Sequence, residues 1–301
     1  MPKHARAIIA AARAELQETN SADPLGNLWT DPEILGWANE GTQQVVPEIL
    51  DLDEDFFGDY FDITTAALVA IYDLPSRFIR MRQVEYILGT TRVDVPERRA
   101  SPGNPPFLSG VSEPSAAPPF AYALFNDQIH FDPPPSGVMA SAFRCWYVGT
   151  PPDLTYGTAS AGGASTITLQ AADDTVAPWG LGASGDDDYY NRTWIVITSG
   201  TGAGQRRRIS DYVGDTKVAT VSPAWSTQPT NASLYATETI LPEPLWRLPQ
   251  LFAAICGKGK YKQDARQLTA RFNALHESIS SLERRTSTER GVEPFDPGDG
   301  L

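Results

Sequence analysis

Residues 29–41 read Trp29-Thr-Asp-Pro-Glu-Ile-Leu-Gly-Trp-Ala-Asn-Glu-Gly41, and this stretch carries a full set of helix-start signals. The Thr30 hydroxyl is placed to accept from the backbone N–H of Glu33, and the Glu33 carboxylate to reach back to Thr30, as in a capping box. Pro32 falls in the first turn, where no intrahelical donor is lost. Ile34, Ala38, Gly41 and Val45 then recur at helical spacing and form a stripe to be buried, until Pro47 ends or kinks the helix. Upstream, Ala5, Ile8, Ile9, Ala12 and Leu16 share one helical face, and a turn spans Asn20 to Asn27. The first sixteen residues are basic but have no long apolar centre, so they read as an amphipathic helix rather than a secretory signal. The amino-terminal region is therefore two short helices.

The second of these helices lies in a one-signed block. Between residues 14 and 76 there are 14 Asp and Glu and no Lys or Arg. The chain as a whole has 37 acidic and 24 basic residues, a net charge of −13, so everything outside the block sums to about +1. The block is threaded with apolar residues, among them Trp29, Ile34, Leu35, Trp37, Val46, Ile49, Phe56 and Phe57. It can bury surface and still present a field that repels polyanions. With 301 residues, 41% hydrophobic and 10% aromatic, the chain has room for two domains and a real core. No run of eighteen apolar residues occurs, so no membrane contact is expected. Cys145 and Cys256 lack metal spacing and read as reduced core thiols.

Beyond Phe61 the chain becomes β-rich. Strands are expected at Thr64–Tyr72, Phe78–Leu88, Tyr122–Phe125, Ile129–Phe131 and Ala142–Val148. Residues 96–119 hold seven prolines and read as an extended arm. Residues 155–237 are compositionally separate, rich in Thr, Ser, Gly and Ala. Five short strands are expected there, near Thr166–Leu169, Thr193–Ser199, Gln205–Tyr212, Lys217–Val221 and Ser233–Ala236, which suggests a small antiparallel barrel or sandwich. Helix returns after Pro244, to about Cys256, with Gly257 and Gly259 as stops. Leu268, Phe272, Leu275, Ile279 and Leu282 then follow a heptad seam, which packs either on its own domain or against another helix of the same kind. The fold class is α+β. Residues 1–154 and 238–301 form a helical core with an antiparallel β region, and 155–237 form an inserted all-β module.

Chemistry finds little purchase. His4, His130 and His276 lie in different elements. No G-x-S-x-G or H-E-x-x-H motif occurs, so no catalytic, metal or cofactor residues are assigned, and no cofactor is expected. Gly200–Gln205 lacks the Lys-Ser/Thr of a phosphate loop and reads as a turn. Asp173–Asp174 and Asp186–Asp188 lack calcium-loop spacing and read as solvated charge. Arg206, Arg207 and Arg208 alternate along a strand, so at most two share a face. Residues 258–290 carry eight basic and four acidic side chains, the reverse of the amino-terminal bias. That complementarity suggests copies in a ring, the acidic helices of one facing the basic helix of the next.

The Trp29–Gly41 segment resembles the second helix of head-to-tail adaptor (connector) proteins of tailed bacteriophages, mainly short-tailed ones. Ala70-Ile-Tyr-Asp-Leu-Pro75, Ile129-His-Phe-Asp-Pro-Pro-Pro135, Tyr147-Val-Gly-Thr-Pro-Pro-Asp-Leu154 and the helical end from Pro244 to Arg290 fit the same pattern in order. Together they cover about half the chain. Residues 195–206 look like a β insert of phage structural proteins and depart from minimal adaptors. The resemblance implies a homo-oligomeric ring in the virion neck, commonly of twelve subunits. It would dock on the portal protein, extend the DNA channel and offer a platform to tail nozzle or fibre proteins. Residues 285–301 would be the portal-gripping tail, with Val292, Phe295 and Leu301 as its plugs. No catalytic residues transfer. Duplex DNA carries a negative charge every ~1.7 Å of axis. Asp51, Asp53, Glu54 and Asp55 are therefore expected to face the lumen or a neighbouring subunit, so that DNA passes without specific binding. The competing readings are a decoration or fibre-attachment protein, with Trp179, Tyr189 and Tyr190 as a sugar platform, and a peptidoglycan hydrolase.

Overall fold

The capping box forms as the residues require. In α2 (Asp31–Gln44) Glu33 N–H donates to Thr30 Oγ1 at 3.4 Å, and Thr30 N–H donates to Glu33 Oε2 at 3.0 Å. The structure is a computed structural model that describes residues 4–16, 29–98, 119, 121–171, 182–241, 245–260 and 262–289. Pro47 marks the break expected of it, since α2 ends at Gln44 with Val45 as its C-cap. It occupies the first turn of a further helix, α3 (Val46–Leu52), where its missing N–H costs nothing.

Upstream, α1 (Ala5–Glu15) is capped by His4, whose Nδ1 accepts from Ala7 N–H at 3.2 Å. At the other end of the chain lie α4 (Arg247–Lys260) and α5 (Arg266–Glu289). Four of these helices share one apolar cluster: Ile8 and Ile9 of α1, Ile34 and Leu35 of α2, Leu251 and Ala254 of α4, and Leu268 of α5. α2 and α4 approach closely because position 41 is glycine; a Cβ there would stand 2.6 Å from Phe252 Cβ. Gly257 and Gly259, expected as helix stops, both lie inside α4. The reason at Gly257 is packing: a Cβ would meet Leu16 at 3.0 Å and Trp29 Nε1 at 3.3 Å, and Trp29 Nε1 donates to the Gly257 carbonyl at 3.0 Å.

The β-rich middle forms two facing sheets. One contains β1 (Gly58–Thr65), β3 (Phe78–Leu88), β4 (Thr91–Asp94) and β7 (Met139–Gly149) in the order β1-β7-β3-β4. The other is β2 (Ile71–Asp73), β6 (Gln128–Asp132) and β5 (Ala121–Phe125), in that order. Their inner faces interdigitate, with Phe131 stacked on Phe143 at 4.2 Å and Ile63, Val84, Tyr122, Ile129 and Cys145 around them. Thr64–Tyr72 is thus not one strand. It is the end of β1, a turn, and the start of β2 in the opposite sheet. Leu68 takes a φ of 65° in that turn, which Tyr72 fastens by accepting from Ala66 N–H and donating to the Val69 carbonyl, each at 3.0 Å. The helix-side end of the sandwich is seated by Phe57 and Val148 among Val45, Val46, Ile49, Leu241, Leu245 and Leu248.

Residues 156–237 supply the remaining strands: β8 (Tyr156–Thr158), β9 (Ala161–Gly162), β10 (Thr166–Thr168), β11 (Trp194–Ser199), β12 (Arg206–Val213), β13 (Val218–Ser222) and β14 (Leu234–Thr237). They form one sheet in the order β8-β14-β11-β12-β13-β10-β9. Its two edge strands are separated in sequence only by Ala159 and Ser160, so the sheet curls until its edges meet. There Ala159 N–H donates to Ser233 O and Ser160 N–H to Thr168 O, both at 2.9 Å. Inward positions alternate along the strands and bury Ile167, Ile195, Ile197, Ile209, Tyr212, Ala219, Val221 and Tyr235. All ladders between the named strands are antiparallel, and the class is α+β. No helix among the described residues is long and apolar enough to cross a membrane.

Candidate functional site

The acidic stretch lies where α3 gives way to β1. Asp53 N–H still donates to Ile49 O, Asp53 Oδ1 accepts from Asp55 N–H at 3.0 Å, and Gly58 N–H donates to Asp55 O at 2.8 Å. This tight turn buries Phe57 and leaves Asp51, Asp53, Glu54 and Asp55 exposed. The four are not equivalent. Arg80 and Arg82 reach out from β3 to the Glu54 carboxylate, each at 3.2 Å, and Arg82 also pairs with Asp55. Asp51 and Asp53 take no part in these pairs. Sequence pointed to the carboxylates but gave no sign of the arginines, which arrive from another element.

The first three positions of the helical seam pack within the chain. Leu268 is buried, Phe272 and Leu275 pack on the helical cluster, and the Phe272 ring lies 6.0 Å from Phe252. The side chains of Ile279 and Leu282 lie outside the described residues, as do Val292, Phe295 and Leu301. Charges follow the same route. Arg271 forms a two-pronged pair with Glu15 at 2.8 Å, Lys260 meets Glu33 at 2.5 Å, and His276 meets Glu48 at 2.7 Å. The Lys260 hydrogen bond holds the Glu33 carboxyl below its ordinary range. Part of the complementarity expected between copies is therefore met inside one copy.

A cleft of about 570 Å³ opens between the sandwich and the rolled sheet. Asp59, Asp62 and Asp73 line one wall, and Asp186, Asp187, Asp188 and Asp215 the other. Asp59 spans the gap. It pairs with Arg77 of its own wall at 3.4 Å and with Arg192 of the other. Tyr60 beside it lies between two guanidinium groups, those of Arg144 and Arg192, each 4.1 Å from the ring centroid. Partial desolvation pushes the Asp188 carboxyl up, with Asp211, Asp187 and Asp59 adding to it and a hydrogen bond from Asn191 opposing. Sequence singled out Asp186–Asp188, but Asp59 and Arg192 are too far apart along the chain for any local signal to join them.

Among the described residues no group of three or more His, Cys, Asp or Glu is placed to hold a metal. Tyr190 is buried in the rolled sheet beside Tyr212, and Tyr189 is half-buried under the Arg77 guanidinium, so neither offers an open platform to a sugar. Trp179, Asp173 and Asp174 lie outside the described residues. Of the three arginines, Arg206 makes a two-pronged pair with Glu238 at 2.8 and 2.7 Å over the Trp194 ring, and Arg207 and Arg208 bond backbone carbonyls.

No curated protein matches the chain. A family model does, that of the SU10 adaptor protein, over residues 5–181. The matched span holds α1, α2 and α3, both sheets of the sandwich and the first strands of the rolled sheet. It covers more than half of the chain, so the protein belongs to the SU10 adaptor protein family, the phage adaptors, and is a structural component of a virion.

Proposed function

We propose that copies of this protein form a ring in the neck of a phage virion, between the capsid portal and the tail. The ring would extend the DNA channel and give tail nozzle or fibre proteins a surface to dock on. The observation that carries this reading is the adaptor-family match over residues 5–181. The copy number is taken as twelve, as the resemblance implies. Residues 1–154 and 238–301 act as one adaptor core, with α1 and α2 closed by α4 and α5. Residues 155–237 are an inserted module, whose two ends meet where Thr155 N–H donates to Thr237 Oγ1 at 2.8 Å. A module so tethered points away from the channel without interrupting the core.

The exposed carboxylates of Asp51 and Asp53 face the lumen in this reading. An acidic wall leaves the phosphate backbone no cation to bind, so DNA slides instead of being retained. Residues 285–301 grip the portal protein through Val292, Phe295 and Leu301. Negative-stain images of the isolated neck, or of the purified protein, test the reading: a ring with a central hole is expected, and a solitary particle without one overturns it.

A further inference from the structure

Three chain segments meet at the end of the sandwich that lies away from the helices. They are residues 64–72, the turn from β1 into β2; residues 133–143, which lead into β7; and residues 87–91, the tip of the β3–β4 hairpin. Hydrogen bonds tie the first two together: Leu68 N–H donates to Pro135 O at 2.8 Å, and Met139 N–H to Thr65 Oγ1 at 3.0 Å. Continuing the β3–β7 register past Tyr86 opposite Phe143 sets the hairpin tip beside Met139–Ser141, and Tyr86 Oη lies 3.5 Å from Met139 Sδ.

These 25 residues, nine, eleven and five in the three segments, include no Asp, Glu, Lys or Arg, where the chain's 20% charged content would place about five. Six of the eleven exposed large apolar side chains among the described residues also lie here. Leu68 is 63% exposed and Val138 73%, with Val69, Leu88 and Met139 around them. Leu68 holds its side chain out from a left-handed backbone, φ 65°, which a branched residue adopts only at a cost. An exposed apolar patch depleted of charge is the composition of an interface centre.

We infer that this end of the sandwich is where a second copy of the chain docks. The inference rests on the reading that copies assemble, and adds which surface they use. Charge decides between occupants. Each copy carries −13, so copies repel wherever their acidic surfaces approach, and they meet at least cost across segments that carry no ionised side chain, beside which Asp132 is already paired with Arg98. DNA and basic segments find no counter-charge here. Elsewhere the same sheet has its charges already paired, Arg144 with Asp62 and Arg92 with Glu85.

Sedimentation velocity of the full chain over a wide concentration range tests this, with three variants. Leu68→Glu/Val138→Glu should raise the dissociation constant of assembly at least tenfold. Leu68→Asn/Val138→Thr, which removes apolar surface without adding charge, should weaken it in the same direction. Val213→Glu, on the rolled sheet, adds like charge off the patch and should leave assembly as in the parent. Circular dichroism melts check that each is folded. Patch variants that assemble like the parent overturn the inference and leave the ring reading intact. A parent that is monomeric throughout, in a virion neck without a ring, overturns that reading itself. Variants that assemble normally yet fail to join the tail assign the patch to another virion protein and likewise overturn the inference.

Discussion

His4 is an N-cap acceptor whose ring nitrogen serves only while unprotonated. Burial is the largest influence and pulls its pKa down, Glu238 opposes, and Arg6 lowers it further. A folded pKa below the unfolded value gives stability that is complete above the unfolded pKa of about 6.5 and is lost as pH falls through the folded one. Urea unfolding at successive pH values should show this loss, and His4→Asn, which caps at any pH, should flatten it. Thr30→Ala breaks the capping box of α2 and should cost about 1 kcal/mol in the same assay. Gly41→Ala drives a methyl into Phe252 and should cost about 1–3 kcal/mol unless α4 moves aside. Asp51 and Asp53 allow a cleaner probe of the channel than the whole acidic stretch, because Glu54 and Asp55 also hold Arg80 and Arg82. Asp51→Lys/Asp53→Lys should slow DNA ejection while leaving the fold intact; unchanged ejection kinetics would remove these residues from the lumen.

At the scale of elements, signals carried by neighbouring residues were legible and signals carried by packing were not. The capping box placed the start of α2, and β-branched runs placed β3 and β10 to β14 within a residue or two. β4 escaped because all four of its residues are exposed and show no alternation. β8 and β9 escaped because three and two residues carry no period. Gly257 reads as a stop in any sequence; only the approach of Leu16 and Trp29 explains it inside a helix. The cleft was legible in one wall alone. Asp59 is the residue that joins the walls, so Asp59→Asn would leave Arg77 and Arg192 facing each other without the carboxylate they share. Hydrogen exchange should rise across residues 185–192 by the equivalent of about 2 kcal/mol, with α1 and α2 unaffected. Replacing Thr158–Leu234 with a short Gly-Ser linker should leave a cooperative melt of the helical cluster, since Thr155 and Thr237 already lie in hydrogen-bond contact.

For the whole molecule, the charge split has two uses that salt can separate. The pairs Arg271–Glu15, Lys260–Glu33 and His276–Glu48 lie within one copy and are partly shielded, so salt should change the melting of a single copy little. Repulsion between copies of charge −13 is long-ranged and is screened over about 10 Å at 0.1 M salt. If copies meet across uncharged surface, rising salt should strengthen assembly; if they meet through acidic and basic helices, it should weaken it. Light scattering against salt distinguishes the two by the sign of the change.

The joining of α1 to α4 also governs when a newly made copy becomes usable. α4 begins more than 230 residues after α1 ends, which at ribosomal speed is a delay of roughly 10–50 s. Through that interval Ile8, Ile9, Ile34 and Leu35 wait for the Leu251 and Ala254 face that will cover them, while the sandwich and the rolled sheet, complete by Thr237, can already fold. A polypeptide cut short before α4 keeps that sticky stripe uncovered and falls to chaperones or proteases. A chain ended before Arg247 should therefore fall to limited proteolysis faster than the full chain.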